Sequence, residues 1–149
     1  MNIAEASGNG KSAIKILVNF ANYLYSEALK GLLINKQNTS QRLRYIVECS
    51  PPNEQFVPDI ILTDFYSLDQ KLLSMFPDAR VLLVDTGLEL EVIASVMFSH
   101  KIDGLLSIDT DVEMLKKALA VVSSGKIWLD NKRVKAFLRK AGMLPKKVA

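Results

Sequence analysis

Five short apolar runs punctuate the chain: AIKILVNF (13–20), LRYIVEC (43–49), VPDIILTD (57–64), ARVLLVD (79–85) and IDGLLSI (102–108). They are rich in β-branched residues and do not alternate strictly between apolar and polar, which suits strands of a parallel sheet covered on both faces. Helical periodicity fills the gaps. After Asn22, the segment YLYSEALKGLLI puts Tyr25, Ala28, Leu29 and Leu32 on one stripe, and LELEVIASVMFSHK (88–101) predicts a second helix. The pattern is strongest in TDVEMLKKALAVVSSG, with Thr110 and Glu113 at capping-box spacing, a stripe of Val112, Leu115, Leu119 and Val122, and Gly125 as a C-terminal stop. A last helix is expected from Asp130 to Gly142, burying Val134, Phe137, Leu138 and Ala141.

Strand and helix alternating along one chain predict an α/β, doubly wound, five-stranded parallel sheet of order 2-1-3-4-5. In such sheets ligands bind at the carboxyl ends of the strands, beside the switch between strands 1 and 3. Asp64, closing the third run, is placed at that crevice. Residues 1–12 are small, polar and glycine-bearing and read as a flexible lead-in. Their GNGKS is not a nucleotide loop, because Glu5 stands where the first glycine belongs and the segment precedes the first strand.

The chain has 149 residues, 49% of them hydrophobic and 23% charged, as expected for one globular domain. No apolar run approaches the roughly 18 residues that would cross a bilayer, so no membrane partner is expected. Cys49 is the sole cysteine, which rules out an internal disulfide, fits a reducing, cytoplasmic setting and reads as a small core filler. The net charge of +3 is uneven: residues 126–149 carry eight Lys/Arg against Asp130 alone. Five of these cations (Lys132, Arg133, Lys135, Arg139 and Lys140) form a basic patch that could approach nucleic acid or serve only as a solvated helix face. His100, the single histidine, reads as a solvated helix end, and Trp128 as a plug at the core edge beneath the last helix.

The succession PDIILTD, ARVLLVD and KIDGLLSIDTDVEMLKKALAVVSSGKIWLDNKRVKAFL resembles the receiver domain of bacterial two-component response regulators, above all the NarL/LuxR-like transcription regulators. The resemblance spans roughly residues 13–130 and divides the chain into a lead-in (1–12), a receiver-like domain (13–129) and a basic C-terminal helix or tail (130–149). It implies a phosphorylatable aspartate, Mg²⁺ held by acidic residues after strand 1, a Thr or Ser after strand 4 and a Lys after strand 5.

Only the aspartate is kept, at Asp64. The acidic pair falls on Asn19 and Phe20, the hydroxyl position on Asp85 with Thr86 one residue late, and the lysine position on Ile108. The connections that carry the family's second and third helices are also shortened, to SPPNEQFVP and to the stretch between Asp64 and Pro77. The expectation is an atypical receiver without Mg²⁺-dependent phosphorylation, a non-enzymatic signalling module with no cofactor. The alternatives are a conventional receiver using Asp64 and Mg²⁺, a cation or proton shared by Asp64 and Asp85, and a nucleic-acid binder acting through the basic helix. Receivers commonly pair through the fourth helix, fifth strand and fifth helix (here 88–101, 102–108 and 110–125). The resemblance turns Ala94, Ser95, Met97 and Phe98 toward the sheet and leaves Val92, Val96 and Ser99 outside. A homodimer or protein partner is therefore expected on that face, unless the last helix folds back over it. Contact with DNA would need a further C-terminal domain or the basic tail.

Overall fold

The computed structural model describes residues 13–35, 44–130 and 132–142; the lead-in (1–12) and the last residues of the tail lie outside them. In chain order the elements are β1 (Ala13–Asn19), α1 (Tyr23–Asn35), β2 (Arg44–Cys49), β3 (Ile60–Asp64) and α2 (Gln70–Met75). They continue as β4 (Arg80–Asp85), α3 (Leu90–Ser99), β5 (Gly104–Ser107), α4 (Val112–Ser123), β6 (Trp128–Leu129) and α5 (Lys132–Lys140). All sheet pairings are parallel, in the order β2-β1-β3-β4-β5-β6. The doubly wound fold and the order of its first five strands are as the pattern predicts. The sixth strand is new: Trp128 and Leu129 pair with Gly104 and Leu105 and cover the outer edge of β5.

Because strand residues point alternately to the two faces, each face builds its own core. On one side Ile16, Val18, Leu62, Leu82 and Leu106 meet Leu29 and Leu33 of α1 and Leu115, Leu119 and Val122 of α4. On the other, Val81, Leu83, Leu105 and Leu129 meet Ile93 and Val96 of α3 and Val134 and Leu138 of α5. A smaller cluster of Leu17, Phe56, Ile61, Leu72 and Ala79 sits under α2. Within α1, Leu29 and Leu33 carry the burial; Tyr25 is half-buried and Ala28 exposed.

The shortened connections are as expected. No helix forms between β2 and β3, and α2 is a six-residue helix capped by the Asp69 carboxylate, which accepts from Leu72 N at 2.7 Å. As a result, among the described residues no helix covers the outer face of β2 and part of β1, where Lys15, Arg44 and Ile46 are exposed.

Several expectations need correction. The N-cap of α4 is Asp111, whose carboxylate accepts from Met114 N at 2.8 Å. Thr110 instead donates to Asp130 Oδ2 at 3.2 Å. Gly125 does close the helix, with φ +97°. Trp128 packs with Val122 and Leu119 on the α4 side of the sheet, opposite α5. The face of α3 is rotated from the expected one: Val96 is only 5% exposed, whereas Phe98 is 80% exposed. The reason is packing by α5, whose Val134 and Leu138 share a cluster with Val96.

Candidate functional site

The carboxyl ends of β1, β3, β4 and β5 converge where the crevice was expected. Asp64 closes β3 and is only 7% exposed. Each of its oxygens is held by the main chain: Oδ2 accepts from Ala21 N at 3.3 Å and Oδ1 from Ser67 N at 2.9 Å. The carboxylate thus ties the β1–α1 loop to the loop that follows β3.

Asn19 is the side chain that sequence reasoning undervalued. The register sets it beside Thr63, next to Asp64. Its amide donates to Thr63 Oγ1 at 3.1 Å and to Ser67 O at 2.8 Å, while Thr63 Oγ1 donates to Asp64 O at 2.9 Å. An amide carries no charge to offer a cation, and both of these donor bonds point into the fold. The clue in the sequence was a polar residue ending an otherwise apolar strand, but its partners depend on the β1–β3 register. Phe20, in the second position of the expected acidic pair, stacks edge-on against Tyr25 with ring centroids 4.9 Å apart.

Asp85 is also engaged. Its Oδ1 accepts from Gly87 N at 2.9 Å and Leu88 N at 2.8 Å, closing the turn in which Gly87 takes φ +112°. The register places Asp64 opposite Val84, one residue short of Asp85, and the pleat turns the two carboxylates toward opposite faces. The structure does not bring them together as a shared cation or proton site. Among the described residues, no group of three or more His, Cys, Asp or Glu side chains could hold a metal ion.

Thr86 is exposed, and Ile108 is 51% exposed at the end of β5. Ile108 lines a mostly apolar cleft of about 30 Å³ with Tyr25, Leu62, Leu106 and Leu115.

Away from the crevice, Val92 is half-buried and Ser99 exposed on α3. His100 caps the end of α3 as expected but is half-buried, and its imidazole Nδ1 is enclosed with no hydrogen-bond partner among the described residues. Cys49 is half-buried, and burial together with Glu27 raises its thiol pKa. On α5, Lys132, Arg139 and Lys140 face solvent, Lys135 is half-buried, and the Arg133 side chain lies outside the described residues.

Neither a family model nor a curated protein matches the sequence. Solved structures do match. A LuxR-family DNA-binding response regulator from Silicibacter pomeroyi superposes with a TM-score of 0.60 at 19% identity, covering 80% of this chain and 98% of that one. The fold is that of a receiver domain. A LuxR-family two-component response regulator from Aurantimonas superposes on this receiver fold at TM-score 0.64 and 14% identity, covering 89% of this chain and 100% of the other. The isolated receiver domain of RcsB from Salmonella enterica serovar Typhimurium, solved with a beryllofluoride phosphomimetic, gives 0.62 at 13% identity over 83% and 97% of the two chains. Among the described residues of this receiver fold, no helix is long and apolar enough to cross a membrane.

Proposed function

We propose that this chain is a non-enzymatic signalling module of transcription regulation: a pseudo-receiver that acts by associating with protein and not by Mg²⁺-dependent phosphorylation of Asp64. The observation that carries this reading is the bonding at the crevice. Both Asp64 oxygens are committed to main-chain N–H groups, and the neighbouring side chain is an inward-tied amide. Mg²⁺ demands several hard oxygen ligands in near-octahedral array, and one carboxylate does not supply them. A phosphoryl dianion at Asp64 would also face the apolar Ile108 in place of a balancing cation.

No cofactor belongs to this reading. Its link to transcription rests on the company the fold keeps: RcsB has been solved as dimers bound to DNA. A protein partner has a foothold on α3 at Phe98, which is 80% exposed next to the exposed Ser99, while Val92 and Val96 are taken up by the cluster that α3 shares with α5. In this reading Lys132, Arg139 and Lys140 of α5 form a solvated face.

The test is a titration with Mg²⁺ and beryllofluoride, followed by amide NMR. The expected result is no saturable shift of the Ala21 and Ser67 amides, which bond to Asp64. Saturable shifts at both, lost in Asp64→Asn, would reinstate the conventional receiver.

A further inference from the structure

Away from the crevice, a hollow opens between the β2–β3 connection and α2. Its volume is about 660 Å³, within the range of small-molecule sites. None of Asn19, Asp64, Asp85 and Ile108 lines it. The connection contributes no helix to fill this space. Phe56, Leu72 and Ala79 line it from the core side, packed with Leu17 and Ile61. Val57 and Met75 are left 62% and 55% exposed on its walls.

The polar groups of the wall select a ligand. Pro51, Pro52, Pro58 and Pro77 have no N–H to offer. The N–H groups of Asn53, Phe56, Leu72 and Ala79 already donate within the fold, to Glu48 Oε1, Asn53 O, Asp69 Oδ1 and Phe76 O. What the wall can offer is mainly acceptors: its carbonyls and the carboxylates of Glu54, Asp69 and Asp78. Lys71 is the one cationic donor among the described residues that line it. Glu54 and Asp78 are exposed at the rim, whereas one oxygen of Asp69 is engaged in capping α2. An anion would meet like charge and few donors here. A protonated amine meets acceptors, with apolar wall beside them.

We propose that this hollow binds a small organic cation, a protonated amine on an apolar body, with the amine among the rim carboxylates of Glu54 and Asp78 and the body against Phe56, Val57 and Met75. Such a ligand is an input separate from phosphorylation. Its test involves neither magnesium nor Asp64, so the proposal stands or falls apart from the reading of the crevice.

The probes are phenylbutylamine and phenylbutanoate, which share an apolar body and differ in the sign of their charge. Each is titrated into the full chain and followed by amide NMR. The amine should give saturable shifts at Val57 and Met75 in the millimolar range. It should bind at least about tenfold more tightly than the acid, because the same carboxylates attract one probe and repel the other. Neutralising the rim with Glu54→Gln and Asp78→Asn together should bring the two probes within about threefold of each other. Met75→Arg, which sets a cation on the wall, should weaken the amine by at least about fivefold. All three positions are exposed, and unshifted amides along β4 and β5 show that each variant is folded. Equal binding of both probes would overturn the proposal and leave an apolar groove suited to a protein segment. No saturable shift with the amine, shifts confined to other residues, or a preference that survives neutralisation of the rim would overturn it too.

Discussion

Replacing Gly104 with valine is expected to cost on the order of 3 kcal/mol of stability. Gly104 is the residue of β5 that pairs with Leu82 on one side and Trp128 on the other. A Cβ there would stand 2.5 Å from Leu82 Cδ1 and 3.2 Å from both Trp128 Cβ and Val122 Cγ2. Leu82 is fully buried and cannot swing aside, and Val122 is held within α4. A branched side chain would therefore push β6 and α4 away from the sheet. For a domain of this size the loss corresponds to a fall in Tm of roughly 6–12 °C, readable by thermal melting. A variant melting within a degree or two of wild type would show that the β5–β6–α4 junction is looser than described.

Leu138→Asp should act on a single helix. Leu138 is 2% exposed and shares its cluster with Val96, Leu105 and Leu129. The side chains it packs with there are apolar, so burying a carboxylate among them is costly, and the economical escape is for α5 to undock. Docking is held largely by Val134 and Leu138, each contributing roughly 1.5–3 kcal/mol of apolar burial. Amide exchange across residues 132–140 should therefore accelerate by at least about a hundredfold. Val96 and Leu129 would become accessible to an apolar dye. Amides around Asp64 should keep their protection, because the cluster between the sheet and α1 contains no residue of α5. Loss of protection throughout would mean that α5 is integral to the core; no change would mean that it was never docked.

The parts of the fold that the sequence discloses are those with a long or unambiguous signal. Runs such as IILTD (60–64) and RVLLVD (80–85) are apolar enough to imply cover on both faces, and the strand order follows from how helices separate them. β6 is too short for any periodicity to show, since two residues fit a loop as well as a strand. The face of α3 was misread because LEVIASVMFS is apolar almost all round. Its burial is then decided by what packs on it, and α5 lies 33 residues or more along the chain from α3. The N-cap of α4 slipped by one place because Asp109, Thr110 and Asp111 are three consecutive candidates, and Asp130 claims the threonine.

The site divides in the same way. Asp64, Phe20 and Ile108 could be placed by position along the strands. The tie from Asn19 to Ser67 and Thr63 could not, because it joins residues 44 and 48 positions apart through strand register. Asp85, read as the remnant of a hydroxyl position, is occupied in closing its own turn at Gly87 and Leu88. The polar groups at these positions are satisfied chiefly by main-chain partners close to them in the fold.

Intact-mass spectrometry after incubation with a small acyl phosphate and Mg²⁺ tests the central claim most directly. The account predicts an unchanged mass, identical in the wild type and Asp64→Asn. A gain of one phosphoryl group in the wild type, absent from Asp64→Asn, would contradict it.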